Sequence, residues 1–181
     1  DLGFFKQRLR ITADYYYKKT TDLLNTVSLP SSSGYKSTVR NIGSISNQGV
    51  ELLIEGDVVQ NKDFGLTLQF NIAHNKNRVE ELADGKDILG TTYSNYGSGS
   101  ITIIREGEPL GAFYVYKDTG LDENGSLSYE DMNGDGQYTD TEDRYIAGSP
   151  FPDFTYGLNC GIRYKNWDFN FFLQGSQGND V

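Results

Sequence analysis

Apolar and polar side chains alternate in five stretches of the chain, with Leu53, Val59 and Phe172 as exceptions. This alternation predicts strands at residues 8–18, 49–59, 64–73, 154–165 and 167–174, each with one apolar and one polar face. At about ten to twelve residues, the predicted strands are about twice the usual strand length in soluble proteins. They match the length of a tilted strand that crosses a bilayer. The pattern therefore favours membrane-spanning strands.

The apolar faces of these stretches are often bounded by aromatic residues, as expected where a barrel wall meets the two membrane interfaces. The residues in question are Tyr15, Tyr17, Phe64, Phe154, Tyr164 and Trp167. We expect the apolar side chains to share one side of a single antiparallel sheet. They are Leu9, Ile11, Val50, Leu52, Ile54, Leu66, Leu68, Phe70, Leu158 and Ile162.

The connections between the predicted strands alternate in length. Short turns lie near Asn61 and Asn166, whereas residues 20–47 and 79–153 form long connections. Outer-membrane barrels have short periplasmic turns and longer extracellular loops. We therefore predict an all-β, antiparallel up-and-down meander: part of a transmembrane barrel, with residues 79–153 as a long extracellular excursion. A soluble β-sandwich is the alternative. Because five strands cannot close a barrel with a lumen, we expect residues 1–181 to be a fragment.

Charge is concentrated in one segment of this chain of 181 residues and net charge −9. Residues 118–143 hold nine acidic side chains and no Lys or Arg. This segment favours a cation as a partner, and no basic stripe suggests nucleic acid.

A single Cys excludes an intrachain disulfide, and a single His leaves little room for a catalytic triad. No pair of acids stands out as a glycosidase pair, so we predict no catalytic residue and no enzyme.

Within this acidic segment, the sequence DMNGDGQYTDTED fits the spacing of a calcium loop. Hard Ca²⁺ takes six to eight oxygen ligands, and this spacing wraps them around one point. The predicted ligands are Asp131, Asn133, Asp135, the carbonyl of Gln137, Thr139 and Glu142. Asp143 could replace Glu142, and a solvated acidic turn is the alternative. Since neither flank has a helical pattern, we expect an ion at residues 131–142 to brace a long loop rather than to act as a sensor.

Two further groups of residues are candidates for contact with a ligand. Tyr93, Tyr96, Tyr114 and Tyr116 could stack on sugar rings, and we predict them as substrate-binding residues, with ordinary loop packing as the alternative. The polar face is expected to form cross-strand pairs in a wet barrel interior. Its residues are Arg8, Arg10, Asp14, Glu51, Glu55, Gln69, Asn71 and Arg163. Cys160 is interpreted as a small lipid-facing residue, and His74 as an interfacial one.

Six segments, in order, resemble the C-terminal half of the barrel of SusC/RagA-type TonB-dependent outer-membrane transporters. They are DYYYKKTTDLL, NIGSISNQGVEL, FNIAHNKNRVEEL, REGEPLGAFYVYKDTGL, YEDMNGDGQYTDTEDRYIAGSPFPDFTYGLN and LQGSQGNDV. The resemblance covers almost the whole chain. It implies a large antiparallel barrel with an N-terminal plug, located in the outer membrane.

The resemblance also implies function and partners. Such transporters import glycans or peptides, driven by TonB and the proton-motive force, and a SusD-type surface lipoprotein caps them. The plug and the TonB-binding segment match nothing in residues 1–181. We therefore expect this chain to be a segment of such a transporter, in contact with outer-membrane lipid. The alternatives are a soluble calcium-stabilised β-rich module that binds glycan at a cell surface and, less in keeping with the sequence, a hydrolase.

Overall fold

The computed structural model describes residues 1–28, 37–41, 43–90, 99–139 and 142–180, and its regular elements are all strands. In chain order the strands are β1 (Leu2–Phe4), β2 (Leu9–Thr20), β3 (Leu24–Ser28), β4 (Ser37–Asn41), β5 (Gly43–Gln60), β6 (Phe64–Leu82), β7 (Ile88–Leu89), β8 (Thr102–Ile104), β9 (Ala112–Tyr116), β10 (Asp118–Leu121), β11 (Leu127–Tyr129), β12 (Arg144–Gly148), β13 (Phe154–Tyr164) and β14 (Trp167–Gln177). In the described ranges, no helix is long and apolar enough to cross a membrane.

The principal sheet has six strands in the order β1-β2-β5-β6-β13-β14. The five predicted strands are β2, β5, β6, β13 and β14, and they lie side by side in the order in which they follow each other along the chain. The predicted all-β, antiparallel up-and-down arrangement is therefore confirmed. Strand β1 was not predicted. It pairs with the start of β2, where Leu2 lies opposite Ile11 and Phe4 lies opposite Leu9.

The predicted facing of β6 and β13 is confirmed by their register. Leu66 lies opposite Ile162 and Phe70 lies opposite Leu158, which places these four apolar side chains on one face. Gln69 lies opposite Asn159 and therefore belongs to the other face. Strand β14 continues the pattern, with Leu158 opposite Leu173 and Ile162 opposite Phe169. Side-chain alternation thus gives this part of the sheet one apolar and one polar side.

Tight turns join the predicted hairpins. At the β5–β6 turn, the Asn61 amide donates to the Phe64 carbonyl at 2.9 Å, and the Asn61 side-chain oxygen accepts from the Phe64 amide at 2.8 Å. At the β13–β14 turn, only Lys165 and Asn166 separate Tyr164 from Trp167, which form the last cross-strand pair. Lys165 has a φ of 54°, as two-residue hairpin turns require.

Strands β5 and β6 are longer than predicted, at 18 and 19 residues. The predicted ends at residues 49 and 73 are wrong because alternation of apolar side chains stops there while backbone pairing continues. Beyond residue 75, the buried side chains of β6 include those of Asn77 and Val79, which stand at odd positions. The apolar side chains of the earlier part of β6 stand at even positions. The strand therefore exchanges its buried side along its length.

The chain divides into two compact units. The first comprises residues 1–18, 47–76 and 151–179, and contains the alternating part of the six-stranded sheet. The second comprises residues 19–46, 77–150 and 180–181. It contains a four-stranded sheet in the order β12-β9-β8-β7 and the hairpins β3–β4 and β10–β11. The predicted excursion at residues 79–153 thus holds several short strands, including β9, which lies within the stretch GAFYVYK.

A small core organises the four-stranded sheet of the second unit. Ile103 on β8 and Ala112 and Tyr114 on β9 are buried, and Ile146 on β12 packs against them. The cross-strand neighbours are Ile103 with Ala112 and Tyr114 with Ile146. Residues from three separate segments therefore meet in one cluster, which ties these parts of the excursion together.

Candidate functional site

The polar face of the first unit carries a shallow groove. It is lined by Gln7, Arg8, Arg10, Glu55, Gly56, Asp57, Thr67, Leu68, Gln69, Asn159, Gly161 and Asn170. Several predicted interior residues are therefore neighbours here. The Arg8 guanidinium donates to the backbone carbonyls of Asp57 and Val58 at 2.9 and 3.1 Å. These bonds fix Arg8 against strand β5, in keeping with the structural role expected for the polar face.

Of the four predicted substrate-binding tyrosines, Tyr114 and Tyr116 lie in the second unit, and both belong to β9. Tyr114 is only 3% exposed. The guanidinium carbon of Arg105 lies 5.1 Å from its ring centroid, within the range of a cation–π contact. Tyr93 and Tyr96 lie outside the described residues. A direct substrate contact by Tyr114 would require a rearrangement, whereas Tyr116 is partly exposed.

Tyr116 begins a row of three aromatic rings. Its centroid lies 5.2 Å from that of Tyr129 on β11, and Tyr129 lies 6.1 Å from Tyr138 in an edge-on arrangement. The Arg144 guanidinium carbon is 4.9 Å from the Tyr116 ring. Tyr138 is 54% exposed. The row therefore leads from a partly buried strand to an accessible ring. Sequence reasoning missed Tyr129 and Tyr138, although both lie within the acidic segment.

The predicted calcium loop is ordered by its own side chains. The Asp131 carboxylate accepts hydrogen bonds from the Gly134 amide at 2.6 Å and from the Gly136 amide at 2.7 Å. Asp135 accepts from the Gln137 amide at 2.7 Å. Both glycines have positive φ values, 77° and 78°, which an L side chain rarely adopts. The loop is therefore a succession of side-chain-to-backbone turns.

The loop carries the kinds of oxygen ligand that calcium prefers. Its predicted carboxylate ligands, however, do not come together around one point. Carboxylate, amide and carbonyl oxygens stand at the spacing that Ca²⁺ prefers. The Asn133 side-chain amide donates to the Glu142 carboxylate at 3.1 Å, so those two predicted ligands lie together. In the described part of the chain, however, no three His, Cys, Asp or Glu side chains converge as a metal site. The ligand set stays a prediction.

The side chain of Asp143 lies inside this loop and joins its two ends by hydrogen bonds. Its side chain is fully buried, and its carboxylate accepts hydrogen bonds from the Thr139 amide at 2.7 Å and the Met132 amide at 3.0 Å. These donors, above all the Thr139 amide, hold the pKa of Asp143 below its ordinary value. The ionised carboxylate therefore links the start of the loop to its end. This bracing needs no ion.

Two single residues from the sequence analysis have clear positions in the first unit. Cys160 is buried, and it lies between Leu68 and Phe171 on the apolar face. His74 on β6 bonds through Nδ1 to the Asp153 carbonyl at 2.6 Å, and its ring centroid is 5.2 Å from that of Phe154. Cys160 thus occupies the expected face, and His74 has an aromatic neighbour of the kind that marks a membrane interface.

Comparison with known proteins defines the class. Residues 1–179 match the family described as "TonB dependent receptor-like, beta-barrel". The chain is 36% identical over 198 residues to "TonB-dependent receptor P3" of Formosa agariphila, covering 100% of this chain and 20% of that protein. It is 35% identical over 190 residues to "TonB-dependent receptor SusC" of Bacteroides thetaiotaomicron, covering 100% of this chain and 19% of that protein.

A solved structure described as "Structure of the RagAB peptide transporter" superposes with a TM-score of 0.79 and 27% sequence identity. The match covers 95% of this chain and 19% of the other. The chain belongs to the TonB-dependent receptor β-barrel family, and within it to the SusC/RagA type. It spans about a fifth of the length of the curated relatives it matches.

Family membership confirms three of the expectations from sequence. The chain is part of a β-barrel, its location is the outer membrane, and the resemblance to SusC/RagA-type receptors is correct. The family is one of receptors and transporters rather than of enzymes. The soluble glycan-binding module is not favoured, because the match extends over nearly the entire chain.

Proposed function

We propose that the full-length protein is a TonB-dependent transporter that imports glycans or peptides across the outer membrane, and that residues 1–181 form part of its barrel wall. The six-stranded sheet with one apolar and one polar side carries this proposal. Its apolar side suits lipid and its polar side suits a wet lumen. The wall itself performs no covalent chemistry in this scheme.

Two kinds of partner belong to the proposal. TonB would engage a part of the protein outside residues 1–181 and supply energy from the proton-motive force. A SusD-like surface lipoprotein would cover the extracellular end, where residues 79–153 are expected to lie. The name of the relative "TonB-dependent receptor SusC" supports TonB as a partner, and the lipoprotein rests on membership of the SusC/RagA type.

Both substrate classes stay within the proposal, because one relative is described as a peptide transporter and the Tyr residues suit sugar rings. Tyr116, Tyr129 and Tyr138 form the accessible row in the second unit. Aromatic rings stack on the apolar faces of sugars and on peptide side chains alike. We therefore place substrate contact at Tyr116 and its neighbours, with Tyr114 as a supporting residue beneath.

Uptake by intact cells tests the transport proposal. Cells that lack the gene should lose uptake of one labelled oligosaccharide or peptide from a panel, and a protonophore should abolish the same uptake in wild-type cells. Tyr138→Ala should reduce uptake, while Tyr145→Ala, on β12, serves as a matched tyrosine control. The proposal would be rejected if uptake of every compound in the panel persisted both after gene deletion and in the presence of the protonophore.

We further propose that the loop at residues 131–142 binds one Ca²⁺. The spacing of Asp131, Asn133, Asp135 and Glu142 supports this, as does the charge of the acidic segment. Bound calcium would stiffen the segment together with Asp143. Calorimetry on chelator-treated full-length protein should show binding at one site, and Asp135→Ala should abolish it. Asp118→Ala, in the same acidic segment but outside the loop, is the control. A folded sample that takes up no calcium would reject this site.

A further inference from the structure

An apolar groove of about 430 Å³ lies on the apolar side of the sheet in the first unit. Its lining comes from four strands and is almost entirely apolar: Ala13, Tyr15, Val50, Leu52, Ile72, His74 and Phe154. Asp14 and Glu51 also border it, and strand alternation directs their side chains to the opposite face. Tyr15 and Phe154 stand on its flanks, and the small side chain of Ala13 leaves the space open. Its volume falls in the range of small-molecule sites.

One end of the groove is polar. His74 Nδ1 faces the Asp153 carbonyl at 2.6 Å, and since a carbonyl can only accept, Nδ1 carries the proton. This leaves Nε2 for another partner. Lys76 stands two residues further along β6, on the same face as His74, and is exposed. An apolar trough therefore ends beside an imidazole and an ammonium group.

The position of this polar end along the strand identifies its surroundings. His74 lies ten residues beyond Phe64, where β6 leaves its turn. At about 3.3 Å per residue this is roughly 33 Å of strand, or about 23 Å along the membrane normal for a tilt of about 45°. The apolar band of an outer-membrane barrel is about 25 Å tall. His74 and Lys76 therefore lie where the hydrocarbon layer gives way to head groups, on the side away from the short turns.

We propose that this groove is a lipid site that holds one acyl chain of a phosphate-bearing lipid of the outer leaflet, with the phosphate at His74 and Lys76. The bilayer is the medium that faces this side of the sheet, so a lipid chain is the occupant available to it. An anionic head group complements the Lys76 ammonium, and the unprotonated His74 Nε2 accepts a hydrogen bond from a hydroxyl of the phosphate monoester. The site is independent of the transport substrate, because its lining shares no residue with the aromatic row proposed for substrate contact.

The site can be tested by native mass spectrometry. The full-length protein in mild detergent is titrated with monophosphoryl lipid A, and bound lipid is counted after release from the detergent. Ala13→Phe fills the groove and should lower lipid affinity roughly tenfold or more, because the acyl chain loses its place. Ile11→Phe adds the same ring on the same face of β2 outside the groove and should bind as the wild type does. Lys76→Gln should weaken binding by about two- to fivefold, the range of an exposed ion pair.

The head group has its own control. After removal of its phosphate, the same lipid should bind wild type and Lys76→Gln equally, and no more tightly than Lys76→Gln binds the intact lipid. Equal binding by wild type and Ala13→Phe would overturn the groove as the site. A phosphate preference that survives in Lys76→Gln combined with His74→Phe would overturn the assigned head-group contacts. None of these measurements depends on uptake, so they stand apart from the test of transport.

Discussion

Leu68 and Gln69 are neighbours in the chain whose environments differ completely. Leu68 lies opposite Cys160 on the apolar face, and Gln69 lies opposite Asn159 on the polar face. In the full-length barrel, Leu68→Arg places a charge against lipid near the middle of the membrane-crossing part of β6. We expect it to lower the free energy of unfolding by about 2–4 kcal/mol, measured by urea titration in lipid vesicles.

Gln69→Arg is the matched control, because it adds the same side chain one residue away. It should cost much less, since a guanidinium on the polar face stays in water. Equal losses for the two variants would contradict the assignment of the faces.

Asp143 makes the acidic loop sensitive to pH. Its pKa is depressed in the folded state, so its contribution to stability is present above the unfolded value of about 3.9. That contribution is lost as the pH falls through the lower folded pKa. We expect the amides of Met132 and Thr139 to be protected from hydrogen exchange at pH 5 and to lose protection only as the pH falls below the unfolded value through the lower folded pKa.

Asp143→Asn separates this effect from general acid unfolding. The variant should exchange roughly tenfold faster at these two amides already at pH 5, because the ionised acceptor is gone. It should also show a smaller further change than the wild type as the pH is lowered. Exchange measured over β13 and β14 in the same sample reports on the sheet and should not differ between variant and wild type.

Tyr114 shows what single residues do not reveal in a sequence. Tyr114 lies on β9, and its burial depends on Arg105, Ile103 and Ile146, which come from other segments. Local alternation gives the two faces of a strand and does not say which face another sheet or loop will cover. Asp143 was weighed only as a calcium ligand for the same reason. Its hydrogen bonds to Met132 and Thr139 follow from the path of the loop backbone.

At the scale of the element, β6 changes character near residue 75. Before it, even-numbered apolar residues define the buried side. After it, Asn77 and Val79 are buried, and they bond to the segment at residues 107–110. Alternation of apolar residues therefore predicted the membrane-crossing part of β6 well. It could not predict the rest, because polar residues such as Asn77 continue the strand through hydrogen bonds to distant residues.

Asn77 provides a test of this second part. Its side-chain oxygen accepts a hydrogen bond from the Leu110 amide at 2.8 Å, and the side chain is buried. Asn77→Ala leaves that amide without this acceptor, which should cost about 1–3 kcal/mol. Faster hydrogen exchange at residues 107–112 should report the loss.

Asn77→Asp retains a side-chain oxygen of the same reach and should preserve more of the protection at Leu110 than Asn77→Ala does. If the alanine variant left exchange at residues 107–112 unchanged, the bond would not contribute to holding this segment against β6.

At the scale of the whole molecule, connection length carried as much information as strand pattern. Two short turns, at Asn61 and at Lys165, contrast with the long connections at residues 20–47 and 79–153, and this contrast favoured a barrel over a sandwich. The same contrast could not foretell that the longer connection contains a four-stranded sheet. Its strands have between two and five residues, too few for alternation to be recognised.

The orientation of the barrel follows from these connections and can be measured in living cells. Lys62 lies in the β5–β6 turn, and Glu123 lies at the tip of the β10–β11 hairpin; both are exposed. With short turns on the periplasmic side, a membrane-impermeant maleimide should label Glu123→Cys in intact cells. Lys62→Cys should react only after the outer membrane is permeabilised.

Neither substitution removes the Asn61 or Asp122 side chains that bond to the turn amides. Cys160 is buried on the apolar face, so unsubstituted protein gives the background. Labelling of Lys62→Cys in intact cells would reverse the orientation and place His74 and Lys76 in the inner leaflet.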